Sequence, residues 1–215
     1  MKPAAPFQDP LAQLTEIRAI MERSTRFISL SGLSGVGAGL VALAGAYTTH
    51  FYLRGQYGAG AYARLLRTSE PERLAALPFL LALAGATIAA AVLVAAFFTL
   101  RRTRRAGLQT LWTAPARRLL LALLVPLAAG GLFCLKLFLS GDVALVVPAM
   151  LVFYGLALLN GSKYTLDEIR YLGLTLIGLG LLGLLLPGYG LALFALGFGL
   201  GHIGYGLAMY RRYER

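Results

Sequence analysis

Lys163–Arg215 reads KYTLDEIRYLGLTLIGLGLLGLLLPGYGLALFALGFGLGHIGYGLAMYRRYER. Two apolar runs of about twenty residues, the length needed to cross ~30 Å of hydrocarbon, are joined by Pro187-Gly188-Tyr189-Gly190. A turn that short predicts a transmembrane helical hairpin. Thr165 followed by Glu168 has the spacing of a capping box, with Asp167 and Glu168 in a first turn whose dipole favours acidic side chains.

Composition places the rest of the chain in the same setting. Its 215 residues are 58% hydrophobic and 13% charged, about half the charge of an ordinary soluble domain, and its mean hydropathy is +0.72. The 26 glycines suit helices that approach closely in lipid. A net charge of +11 would suggest nucleic acid in a soluble protein, but here it follows the pattern of topology and excludes a nucleic-acid partner. The single Cys134 falls inside an expected span, which excludes an internal disulfide and a cysteine-based metal cluster. The first 28 residues contain Asp9, Glu16 and Glu22 and lack the short apolar core of a cleavable signal.

Outward from the hairpin, the pattern predicts an all-α integral membrane protein. Six spans are expected at about 28–48, 74–100, 119–139, 143–159, 169–187 and 189–209, in one transmembrane domain over 28–215. Residues 1–27 form an N-terminal arm. Within it Asp9-Pro10 is a helix start, and Leu11, Leu14, Ile17 and Met21 recur at helical spacing beside Arg18, Arg23 and Arg26. That pattern predicts an amphipathic helix at the membrane surface. The longest connection, 50–73, is rich in tyrosine and arginine as at a headgroup boundary, and Ser69-Glu70-Pro71 marks the next helix start. Thr113-Ala114-Pro115 opens the helix of span 3, and Asp142 is placed to cap span 4. Pro126 and Pro148 fall inside spans 3 and 4 and predict kinks. Most of the 20 lysines and arginines sit in the N-terminal arm, the 2–3 and 4–5 connections and the C-terminal segment, which predicts that both termini are cytoplasmic in a bacterial inner membrane.

Few residues could carry chemistry. On a helical wheel His202 shares a side of span 6 with Ala195, Gly199 and Gly206, while Gly190, Gly197, Gly201 and Gly204 form a second small-residue side. Leu193, Leu196, Leu200, Ile203 and Leu207 lie between them and are expected to face lipid. His202 should therefore point into the bundle, either in a hydrogen bond to a serine of span 1 or as a proton relay or ligand. Ser31 and Ser34 lie on the small-residue face of span 1 and join His202 as candidate functional residues. His50 should stand roughly 20 Å from His202 in depth at 1.5 Å rise per residue, too far to share a haem or metal. No acidic residue lies inside a span, and no HExxH, GxSxG or phosphate-binding glycine loop occurs. The expectation is no catalytic site, no metal and no cofactor. Arg101, Arg102, Arg104, Arg105, Lys163 and Arg170 form a candidate patch for anionic lipid headgroups or a partner. Lys136 is expected to snorkel to the nearer boundary.

The segments Met21–Gly35 and Lys163–Arg215 resemble an uncharacterised family of small six-span bacterial membrane proteins. The resemblance is carried by KYTLDEIRYLG at 163–173, PGYG at 187–190, HIGYG at 202–206 and MYRRYER at 209–215. It covers about a third of the chain and implies origin and topology. More loosely, the Pro-Gly hairpin is similar to that of the acid-resistance membrane protein family, also six-span. The function expected from these features is a non-enzymatic accessory or scaffold protein of the inner membrane, associating with itself or with another membrane protein. The alternative is a small solute or ion transporter with a site near His202 and the span 1 serines.

Overall fold

The computed structural model describes residues 31–105 and 112–214, and among these every regular element is helical. In chain order they are α1 (Gly32–Tyr57), α2 (Ala61–Leu65), α3 (Glu70–Arg105), α4 (Ala114–Ser140), α5 (Val143–Gly161), α6 (Glu168–Leu185), α7 (Gly190–Phe194) and α8 (His202–Tyr213). A 3₁₀ turn at Pro187–Tyr189 forms the hairpin tip, and a π-helical segment, Ala195–Gly201, joins α7 to α8 in one rod. The expected N-terminal surface helix and the first residues of span 1 lie outside the described residues.

Five helices are long and apolar enough to cross a membrane: Glu70–Arg105, Ala114–Ser140, Val143–Tyr164, Glu168–Leu185 and Pro187–Tyr213. The 26-residue α1 has the length, but glycine, serine and threonine along it dilute its hydropathy below that of the other five. It also continues to Tyr57, past the expected end at Thr48, so much of the tyrosine-rich connection is helix. Gly58 and Gly60 make the turn into α2 with φ of 73° and 70°, a region that side chains rarely tolerate.

Helix starts were legible in part. The Thr113 hydroxyl accepts from the Ala116 amide at 3.3 Å, and the Glu72 carboxylate accepts from the Ser69 amide at 3.2 Å as a capping-box glutamate does. The glutamate of the box expected at Thr165 is engaged across the bundle. There α6 begins at Glu168, with Asp167 at the cap position making no side-chain cap bond, and the Glu168 carboxylate turns to Arg212 and Tyr213. Asp142 occupies the cap position of α5, also without a side-chain bond to the helix.

The helices pack as a row, with α3 on α1, α1 on the α7–α8 rod, the rod on α6, α6 on α5, and α5 on α4. Lipid is as apolar as leucine, so close packing rather than burial from water holds such a row together. Backbones come nearest where α5 crosses α6. A Cβ at Gly155 would stand 2.6 Å from the Gly173 carbonyl oxygen, and one at Gly173 would stand 2.8 Å from that of Gly155. Around this crossing Leu151, Leu158, Leu172, Leu176 and Leu193 are buried together. At the pole of the hairpin tip, Leu53, Ala61, Leu65, Phe138 and Val143 bury a second cluster that closes α1, α2, α4 and α5 against one another. The buried Arg73 of α3 joins this pole by donating to the Leu139 carbonyl at 3.2 Å, a cation at the C-terminal end of α4.

α4 and α5 run through Pro126 and Pro148 without a break, and the Pro148 ring is fully buried beside Gly183. Irregular winding occurs in the last helix, in the proline-free run ALGFGLG.

Candidate functional site

That π-helical run ends at His202, and its wider winding shifts the register of everything after it. A wheel drawn at 100° per residue puts His202 with Gly199 and Gly206. In the structure those two glycines face α1, Gly199 against Leu43 and Gly206 against Gly32 and Val36. The imidazole turns instead to α5, where Nε2 lies 3.0 Å from the Tyr154 hydroxyl, and Nδ1 lies 3.2 Å from the Gly197 carbonyl. A carbonyl only accepts, so Nδ1 carries the proton, and in the neutral ring Nε2 accepts from Tyr154. Phe198 completes the enclosure, stacked at 6.1 Å and 9° on the imidazole and 4.9 Å from the Tyr154 ring. The lipid-facing stripe holds for Leu196, Leu200 and Leu207. Leu193 is buried, and Ile203 packs where a side chain at Gly39 would stand.

The expected hydrogen bond between His202 and a span 1 serine is therefore replaced by one to Tyr154. The serines belong to another constellation. The Ser31 hydroxyl donates to Glu214 Oε2 at 3.1 Å, the Gly32 amide donates to Glu214 Oε1, and the Ser34 hydroxyl donates to the Ser31 carbonyl. Glu214 is also paired with Arg102 at 3.6 Å. Beside it the Glu168 carboxylate accepts from Arg212 at 3.0 Å and from the Tyr213 hydroxyl at 3.1 and 3.2 Å. Two carboxylates thus clasp α1, α3, α6 and α8 at the pole opposite the hairpin tip. A carboxylate at the start of α1 meets both the free amides and the positive end of the helix dipole.

The arginine patch surrounds this clasp. Arg101, Arg104, Arg105, Lys163 and Arg170 are exposed, whereas Arg102 is half-buried in the Glu214 pair. Lys136 is exposed near the C-terminal end of α4. Among the described residues no group of three or more histidine, cysteine or acidic side chains stands close enough to hold a metal ion.

His202, Ser31 and Ser34 consequently do not form one site. The histidine has both ring nitrogens engaged, so accepting a metal would cost it Tyr154, and the serines seat a helix end. Sequence reasoning missed Tyr154 and Glu214. The tyrosine gives no signal in a span full of apolar residues. Glu214 stands in the MYRRYER run, a mixed-charge sequence after a membrane span that reads as a solvated end until its partners are known. No protein-family model matches the chain, and no curated protein or solved structure matches it.

Proposed function

We propose that the chain is a six-span bacterial inner-membrane protein, with α1 as the first span and both termini cytoplasmic. It performs no catalysis and acts as a scaffold that associates with itself or with another membrane protein. The lysine and arginine bias supports the orientation, since the clasp pole carries the arginine patch. The same patch would bind anionic lipid headgroups. The observation that carries the scaffold reading is α3. None of its most apolar eighteen-residue window is buried, α1 is its main neighbour, and a side chain at Gly85 would meet nothing within 4 Å. Ala82, Gly85, Ala86 and Ala89 give that exposed face the small-residue spacing at which membrane helices approach one another. The test is the mass of the particle extracted with its native lipid in polymer discs. A mass of two or more chains, or one chain plus a partner, supports association; a lone 22.9 kDa chain in lipid contradicts it.

A transporter is the second reading, favoured by the π-helical segment that meets an intramembrane histidine, a combination frequent at functional sites. It rests on His202 and Tyr154 alone, because Ser31 and Ser34 are engaged in the clasp. Solute flux in proteoliposomes that disappears in a folded His202→Ala protein would favour it over the scaffold.

A further inference from the structure

Arg73, in the first turn of α3, is a buried cation with little to balance it. The residue is 8% exposed, and a guanidinium carries five N–H donors. Among the described residues only Nη2 has a partner, the Leu139 carbonyl, and Nε is buried with none. No carboxylate among the described residues pairs with it. Glu70 and Glu72 of the same turn are exposed, Glu72 being turned to the Ser69 amide, and Asp142 in the connection after α4 is exposed too. A charge taken out of water needs a counter-charge, and the partial charge at the end of α4 supplies only part of one.

One nitrogen can still be reached. Nη1 also has no partner among the described residues but, unlike Nε, it is not cut off from the surface. Gly141 lies beside it. A Cβ there would stand 3.5 Å from Nη1 and 3.6 Å from Cζ, so a larger residue would put its side chain over the guanidinium. Gly141 closes α4 with a φ of 94°, a conformation that glycine supplies, and contributes nothing to cover that face. The Arg73–Leu139 bond also joins two helices that do not pack along their lengths, since α3 lies on α1 and α4 on α5. Like α3, α4 is open along its apolar window, of which 6% is buried, and Leu139 itself is exposed.

We propose that Arg73 holds the phosphate of one anionic phospholipid, whose acyl chains enter the gap between α3 and α4. Arg73 comes just before the apolar run that starts at Leu74, which sets it at the depth of the headgroups. A phosphate oxygen at Nη1 supplies the missing counter-charge, and a guanidinium fits such oxygens well. The chains cover apolar surface of α4 that no other helix covers. At about 100° per residue Arg73 lies about 120° from Gly85 around α3, so the lipid leaves the small-residue face free for protein. The site stands at the pole opposite the arginine patch and takes its lipid from the other leaflet.

The test is native mass spectrometry of the full chain, stripped of lipid in detergent and titrated separately with dioleoylphosphatidylglycerol, dioleoylglycerol and inorganic phosphate. The wild type should bind one phosphatidylglycerol more tightly than dioleoylglycerol, which has the same chains and no phosphate. Arg73→Gln should weaken that tightest site about ten-fold, or about 1.4 kcal/mol. Arg54→Gln, which removes an exposed charge at the same pole, should leave it unchanged. Arg73→Lys keeps the charge without the planar fork and should fall between wild type and Arg73→Gln. It carries the comparison if Arg73→Gln does not fold. Equal affinity for dioleoylglycerol, or phosphatidylglycerol binding that neither Arg73 substitution changes, would overturn the proposal. So would inorganic phosphate that binds through Arg73 as tightly as the lipid, which would make this a site for a free anion.

Discussion

Glu214 accepts a hydrogen bond from the backbone amide of Gly32, a residue 182 positions earlier, and so one carboxylate holds the start of the first described helix against the end of the last. The same side chain takes the Ser31 hydroxyl and pairs with Arg102. Charge-assisted hydrogen bonds of this kind contribute about 1.5–3 kcal/mol each when little exposed. Glu214→Ala should therefore lower the thermal midpoint of the detergent-solubilised protein, by roughly 1–3 kcal/mol in stability because relaxation recovers part of the loss. Glu214→Gln should fall between the two, keeping an acceptor but losing the charge. A Glu214→Ala protein as stable as the wild type would remove the clasp from the account.

The neighbouring pair is asymmetric. The Arg212 side chain is 71% exposed and that of Glu168 only 10%. Exposed partners contribute little, about 0–1 kcal/mol, whereas Glu168 also accepts the single Tyr213 hydroxyl proton, shared between its two oxygens. Arg212→Ala should be nearly neutral and Glu168→Ala clearly destabilising, with Tyr213→Phe intermediate. Equal losses for the arginine and the glutamate would show that the ion pair, not the tyrosine, holds this corner.

Glycines divide by what lies over them. Gly155→Ala places a methyl 2.6 Å from the Gly173 carbonyl oxygen, an obstruction by backbone that cannot rotate away, and should cost about 1–3 kcal/mol. Gly204 faces open space within 4 Å, so Gly204→Ala should be neutral or stabilising through its better helix propensity. Unfolding of the two variants in sodium dodecyl sulfate titrations separates these cases; the reverse order would refute the α5–α6 crossing.

Tyr62 gives a prediction in pH. Its ordinary pKa of 10.0 rises to about 12 on burial, so the unfolded chain loses this proton first. Between about pH 10 and 12 the folded state binds more protons than the unfolded state, and stability falls as pH rises. Tyr62→Phe should remove that part of the loss. Thermal midpoints at pH 9 and pH 11 should diverge more in the wild type than in the variant, and identical slopes would place the phenol in water.

How much of this was legible from residues differs by the kind of signal. Helix existence follows from long apolar runs, and the starts at Ser69 and Thr113 follow from local cap chemistry. The hairpin 3₁₀ turn was visible as PGYG. The continuation of α1 to Tyr57 was hidden because aromatic and charged residues at a membrane boundary look the same in a helix and in a loop. His202 points into the bundle as expected, but a wheel assumes 3.6 residues per turn and the π-helical ALGFGLG winds more widely, so the register it draws between Gly199 and His202 does not hold. The clasp was out of reach for another reason, since no local pattern links Glu214 to Gly32 or Glu168 to Tyr213.

The central claim is that the exposed face of α3 meets protein in the membrane. A photo-reactive side chain at Ile88, which is 64% exposed beside Gly85, tests it in native membranes, with Leu174 of α6 as the control position. A discrete protein adduct is expected from position 88, either a second copy or one partner, and none of that mass from position 174. Adducts of lipid mass alone at position 88 would contradict it.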